Sequence, residues 1–129
     1  MRKFTVNTQQ RSQWLDITRM IEQEIDRTGI QEGACLVHIP HTTAGVTVNE
    51  NADPDVRTDA LRFLDRMIPQ DWGFRHGEGN SDSHIKASLM GCSVTLPIEG
   101  GRLALGRWQG VYFCEFDGPR HREVWLRFM

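Results

Sequence analysis

Cysteine is scarce in this chain: three residues in 129, Cys35, Cys92 and Cys114, an odd number with no CxxC pair among them. That excludes a disulfide framework and argues against a cysteine-ligated zinc site. It predicts reduced, mostly buried thiols in a cytoplasmic protein. Long hydrophobic runs are missing as well. No stretch approaches the roughly 20 apolar residues of a spanning helix, and the start MRKFTVNTQQRSQW is basic but has no apolar segment of the secretory kind. Charge of one sign is also absent. Fifteen Lys and Arg against 17 Asp and Glu leave a net charge of -2, so no general field favours nucleic acid or an anionic membrane, and any anion binding must be local. GxSxG, HExxH, Walker and dinucleotide fingerprints do not occur. What remains is oxygen and imidazole chemistry.

What is present suits one folded unit over 1–129: 39% hydrophobic and 25% charged residues, with no internal repeat, low-complexity tract or linker. KFTVNT alternates as a half-buried strand does. Ile17, Met20, Ile21 and Ile25 have helical spacing, which predicts a helix over about 18–28 with Thr18 as cap and Gly29 as terminator. Ala34 to Ile39 and Gly45 to Asn49 read as strands around a polar HTTA corner. Asp53-Pro54 opens a second helix, with Val56, Ala60, Leu61, Leu64 and Met67 as its apolar stripe. From Pro69 to Ser83 runs an aperiodic, glycine-rich loop, long enough to expect a function of it. HIKASLMG then reads as a short helical turn. CSVTLPI and RLALG form a hairpin through Gly100 and Gly101, and GRWQGVYFCEF and REVWLRF alternate on either side of a DGPRH turn.

Chemistry concentrates in three places. His41 stands at the HTTA corner beside Thr42, where hydroxyls can bond phosphate oxygens and a neutral imidazole can bind metal; an ordinary turn histidine is the alternative. His38 lies three residues before it and on the opposite face of a regular strand. NENADPD places Asn49, Glu50, Asp53 and Asp55 at a strand-to-helix junction. Asp53 reads as a cap and Asp55 as a dipole partner, whereas Glu50 has no such structural role. HGEGNSDSHIK carries His76, Glu78, Asp82, His84 and Lys86 from the loop into a helix start, where amides favour an anion. Asp82 or Ser83 capping that helix is the bland reading. Trp108 in GRWQG and Arg120 in DGPR could supply an aromatic wall and a guanidinium, although Trp108 fits core or subunit packing equally well.

Taken together, HTTAGVTVNENADPDV, GNSDSHIKASLMG and GRWQGVYFCEFDGPR resemble the YjbQ-like (UPF0047) family of secondary thiamine-phosphate synthase enzymes, across nearly the whole chain. The resemblance implies a compact α+β fold, a β-sandwich or barrel-like, mostly antiparallel sheet with two longer helices and one short one. It also implies homotrimers with sites near subunit boundaries. The implied activity joins hydroxymethylpyrimidine diphosphate to hydroxyethylthiazole phosphate with release of diphosphate. The family's polar pattern falls on His41, Thr42, Asn49, Glu50, Asp53, Asp59, His76, Asp82, His84, Lys86, Trp108 and Arg120, while His38 and His121 lie outside it. On this footing His41, His76 and His84 are expected as ligands of a divalent metal, zinc-like or Mg²⁺. Glu50, Asp82 and Lys86 are the expected catalytic groups, and Thr42, Asn49, Trp108 and Arg120 the substrate contacts. Two further readings stand beside the transferase: metal-dependent hydrolysis of a small phosphorylated metabolite, and a trimeric binding protein without turnover.

Overall fold

The computed structural model describes all 129 residues. The strands are β1 (Arg2–Asn7), β2 (Gln13–Asp16), β3 (Gly33–His38), β4 (Ala44–Glu50), β5 (Ser93–Glu99), β6 (Arg102–Leu103), β7 (Gln109–Glu115) and β8 (His121–Phe128). The helices are α1 (Thr18–Thr28), α2 (Pro54–Met67) and α3 (Ser81–Met90). Five strands form one sheet in the order β1-β8-β3-β5-β6, and three form a second in the order β2-β7-β4. Every pairing is antiparallel. The α+β class and the antiparallel, sandwich-like sheets are as expected from the sequence.

Alternation along β7 explains the layering. Val111 and Phe113 point between the sheets and join Val37, Val46, Val124 and Leu126 in the larger core. Tyr112 and Cys114 point the other way and, with Trp14, Leu64, Ala87 and Phe116, form a second core under α2 and α3. A strand covered on both faces reads as a continuous apolar run, and six of the seven β7 residues are buried. Ile21 and Ile25 of α1 enter the larger core with exposures of 0% and 1%, so each contributes about 1.5–3 kcal/mol of burial.

Several expectations needed adjustment. Thr18 does not cap α1: Asp16 Oδ1 accepts from the Thr18 amide at 3.0 Å, and the Thr18 hydroxyl accepts from the Val111 amide at 2.8 Å, tying the helix to β7. Gly29 terminates α1 in the left-handed region at φ 73°, and Asp53 caps α2 by accepting from the Asp55 amide, both as expected. The anticipated short turn after Ser83 is a ten-residue helix that begins at Ser81. Tertiary contact with β4 carries it, since its own apolar periodicity is weak. Residues 13–16, not anticipated as a strand, pair with β7 as β2. The longest helix has 14 residues, and none is long and apolar enough to cross a membrane.

The contact that positions the site is the seat of α3 on β4. A Cβ on Gly45 would lie 2.6 Å from the Gly91 carbonyl oxygen, so only glycine admits the end of α3 this close. That same carbonyl accepts from the Val46 amide at 3.0 Å, fixing α3 beside the corner that holds His41.

Candidate functional site

Four segments meet at one polar hollow of about 470 Å³: the corner before β4, the loop before α3, the first turns of α3, and the β7–β8 turn. His41 and Thr42 come from the corner, His76 and Glu78 from the loop, His84 from α3, and Arg120 from the turn. His76 and His84 stand edge to face with ring centroids 5.6 Å apart.

His41 is held in a defined protonation state. Its Nε2 accepts from the Glu123 amide at 2.9 Å, so that nitrogen carries a lone pair and the neutral ring bears its proton on Nδ1. Burial, reinforced by the nearby Arg122 guanidinium, pushes its pKa below the usual histidine value. Near neutral pH, His41 is an uncharged N–H donor.

Arg120 is braced rather than loose. Its Nε donates to the Asp117 carbonyl at 2.7 Å and its Nη2 to the Asp117 carboxylate at 3.0 Å, which leaves Nη1 without a protein partner. The turn itself is pinned to the residue after β1, because the Arg120 amide donates to the Thr8 hydroxyl at 2.9 Å and Thr8 N donates to the Arg120 carbonyl at 2.9 Å. Asn80 completes this wall: its Nδ2 donates to Asp117 Oδ2 at 2.8 Å, while its buried Oδ1 has no donor. A buried acceptor without a partner is costly, and this one belongs to a residue that lines the hollow.

Beneath the corner lies a buried ion pair. Glu115 is 0% exposed and Arg122 5%. Arg122 Nε donates to Glu115 Oε1 at 2.9 Å, and Arg122 Nη2 donates to the Thr43 hydroxyl at 2.8 Å. Glu115 also accepts from the Thr8 hydroxyl at 2.6 Å and from the Phe116 and Asp117 amides. The pair therefore links the corner, the turn and β1 in a satisfied network.

Of the expected site residues, the hollow gathers His41, Thr42, His76, His84 and Arg120. Asn49, Glu50 and Trp108 lie outside it within one chain. His41 precedes β4 and Glu50 ends it, so the strand's rise of about 3.3 Å per residue puts them ~20 Å apart within one chain. Trp108 lies at the Glu50 end, its carbonyl accepting from the Asn51 amide. Asp82 and Lys86 are a correction. They lie on another face of α3 and line a separate hollow with Arg11, Asp65 and Gln70. Arg11 binds both Asp82 oxygens at 3.0 Å, and Lys86 Nζ reaches Asp65 at 2.7 Å and Asp82 at 3.2 Å. Burial opposes ionisation of Asp82, but the Arg11 and Lys86 hydrogen bonds outweigh it and hold the carboxyl below its ordinary value. These groups neutralise one another and fasten α3 to α2 and the β1–β2 loop.

The metal expectation meets a geometric obstacle. No group of three or more His, Cys, Asp or Glu side chains is arranged to hold an ion. His41 would have to give up its bond from Glu123 to offer Nε2, so the three histidines do not fit a resident ion cage. His38, bonded to Ser93 at 2.7 Å beside Trp125, and His121, bonded to Asn7, stay outside the hollow.

A family model described as UPF0047 protein YjbQ-like matches residues 2–129. The chain belongs to that family. Family relatives include UPF0047 protein MJ1081 of Methanocaldococcus jannaschii, 48% identical over 127 residues and covering 98% of this chain and 92% of the relative. UPF0047 protein YugU of Bacillus subtilis is 48% identical over 130 residues, covering 100% and 98%. Among solved structures, a yjbq/upf0047 family protein from Clostridium acetobutylicum superposes with a TM-score of 0.97 at 48% identity, covering 100% of both chains. A conserved hypothetical protein of Thermus thermophilus gives 0.93 at 42% identity, again covering 100% of both. The family and its fold are therefore established, and these relatives' names state no reaction.

The residues that sequence reasoning missed are Asn80, Asp117, Glu115 and Arg122. Two of them carried a signal. Glu115 continues the inward set Val111–Phe113, and Arg122 opens the inward set Val124–Leu126, so each puts a charge on an apolar face.

Proposed function

We propose that this chain is a thiamine-phosphate-synthase-type transferase, a cytoplasmic enzyme that joins hydroxymethylpyrimidine diphosphate to hydroxyethylthiazole phosphate and releases diphosphate. The observation that carries this reading is the convergence of Arg120, Thr42, His41, His76 and His84 on one hollow, whose lining also holds the Glu78 carboxylate and the Asp117 carboxylate that braces Arg120. In the reaction the thiazole nitrogen gives its electron pair to the pyrimidine methylene carbon, and the carbon–oxygen pair leaves with diphosphate. The new bond makes a thiazolium, so no protein base is required. What the step needs is stabilisation of negative charge on the leaving group. Arg120 Nη1, the His41 Nδ1 proton, the Thr42 hydroxyl and the His76–His84 pair supply it. A divalent ion such as Mg²⁺ belongs to this reading as part of the diphosphate substrate rather than as a resident group.

Asn49, Glu50 and Trp108 join the same site only from another copy of the chain, which is how the homotrimer enters the proposal. Exposed Phe63, Met67 and Trp72, on α2 and just after it, give such an assembly apolar surface to bury. Purified protein mixed with both precursors and Mg²⁺ is expected to yield thiamine phosphate by mass spectrometry, with the rate reduced at least tenfold in Arg120→Ala. Failure of the wild-type protein to form product with any divalent ion refutes the transferase. A phosphate-ester binding protein without turnover is the second reading, favoured by the mutual neutralisation of Asp82 and Lys86. Stoichiometric binding of either precursor without product distinguishes it.

A further inference from the structure

Alternation along β8 sends Val124 and Leu126 into the larger core and leaves Trp125 and Arg127 on the outer face of the five-stranded sheet. A row of side chains crosses that face in register: Lys3 of β1 stands opposite Trp125, Trp125 opposite His38 of β3, and His38 opposite Ser93 of β5. Beside the row opens a hollow of about 410 Å³, walled by Leu36, His38, Ser93, Trp125, Arg127 and Met129, with Met1 at its rim. It lies at the end of β8 remote from Arg120 and shares no residue with the polar hollow at His41. Its volume is in the range of small-molecule sites.

Three features define what this hollow suits. Its walls are mainly apolar, and no acidic side chain lines it; Glu123, the acid on this face of β8, stands two positions from Trp125 and outside the lining. The Met129 carbonyl oxygen is taken up by the Ala34 amide at 2.9 Å. Two cations, by contrast, have no counter-charge. Arg127 lines the hollow and Lys3 Nζ lies 4.6 Å from the centre of the Trp125 ring, yet neither belongs to any of the molecule's ion pairs. Finally, the buried Trp125 Nε1 has no acceptor. An indole N–H can only donate, and a buried donor without a partner is costly, so the missing group is an acceptor. The wall beside it is fixed: His38 Nδ1 bonds the Ser93 hydroxyl at 2.7 Å, and its ring centre lies 5.8 Å from that of Trp125.

We infer that this hollow is a second binding site, for a small aromatic monocarboxylate: the ring lies against Trp125, Leu36 and Met129, and the carboxylate meets Arg127 and Lys3 and supplies the acceptor that Trp125 lacks. A neutral hydrocarbon would leave both cations and the indole N–H unanswered. A cationic ligand would face two like charges. A doubly charged phosphate would lose more hydration on entering apolar walls than a single carboxylate does. The site is independent of the phosphate reading above.

The test titrates the full-length protein with 2-naphthoate, neutral 2-naphthamide and acetate, reading affinity by calorimetry and the tryptophan indole and histidine resonances by NMR. One 2-naphthoate should bind per chain, at least tenfold more tightly than the amide or acetate. The Trp125 indole resonance, identified by its loss in Trp125→Phe, should shift together with His38, while Trp14, Trp72, Trp108, His41, His76 and His84 stay still. Arg127→Gln, at an exposed position, should weaken 2-naphthoate at least tenfold and leave 2-naphthamide within twofold. Equal affinity for the acid and the amide, or shifts at His41 and His84 in place of Trp125 and His38, overturns the inference. No binding overturns it as well, and if Arg127→Glu then lowers the molecular mass in sedimentation, the face is an interface between copies of the chain. None of these outcomes bears on diphosphate binding at Arg120, which is measured separately.

Discussion

Replacing Glu115 by glutamine keeps the side chain's shape and removes its charge. The carboxylate accepts five hydrogen bonds: two from Arg122, one from the Thr8 hydroxyl, and one each from the Phe116 and Asp117 amides. A glutamine presents an NH₂ group to at least one of those donors and leaves the Arg122 guanidinium buried without a counter-charge. Breaking a buried pair from one side costs about 3–5 kcal/mol. An unfolding entropy of roughly 2.1 cal/mol/K per residue makes each kcal/mol worth about 3–4 °C in a chain of this length. Glu115→Gln should therefore lower Tm by about 11–18 °C in calorimetry. It should also lower the His41 pKa further, because the Glu115 charge favours the protonated ring. Glu99→Gln on the exposed end of β5 serves as the control and should stay within about 0.5 kcal/mol. Replacing both Glu115 and Arg122 by leucine should cost less than the two single losses added together, since neither charge is then stranded. A Glu115→Gln protein that loses less than about 1 kcal/mol would show that the pair does not hold the corner and turn as described.

Arg120→Ala removes one charge-assisted donor, worth about 1.5–3 kcal/mol, so diphosphate should bind roughly 10- to 150-fold more weakly by calorimetry, with little change in Tm. Gly45→Ala forces a methyl against the Gly91 carbonyl 2.6 Å away and should destabilise by about 1–3 kcal/mol in urea unfolding. Acid unfolding should show two effects of known sign. The depressed Asp82 pKa gives stability that is present above the unfolded value of about 3.9 and is lost as pH falls through the folded value; Asp82→Asn should flatten that limb. Because the His41 pKa is also depressed, the unfolded chain binds the proton first, so stability declines as pH falls from about 6.5 towards the folded value, a slope that His41→Gln should remove.

How much of this was legible in the sequence follows from how local each cause is. Asp53-Pro54 and Gly29 set their helix ends by local geometry, and both behaved as their residue types require. The alternation in YFCEF and VWLRF gave β7 and β8, but the same alternation carried a message that went unused, since Glu115 and Arg122 occupy inward positions and so require each other. Helix α3 was underestimated because its order comes from Gly45 and the β4 backbone, which are distant in sequence. Glu50 looked close to His41 because nine positions separate them. In a strand that separation is length, and the two ends of β4 cannot share one site within a chain. Asp82 and Lys86 looked like chemistry because charges near a histidine usually attract attention. Their spacing of four also makes them an intrahelical pair, and Arg11 and Asp65 complete it.

The most direct test of the phosphate site is the histidine NMR spectrum of the protein during titration with inorganic diphosphate. His41, His76 and His84 should shift together along one binding curve, while His38 and His121 remain still. Movement of His38 or His121 in their place, or no movement at saturating diphosphate, would contradict it.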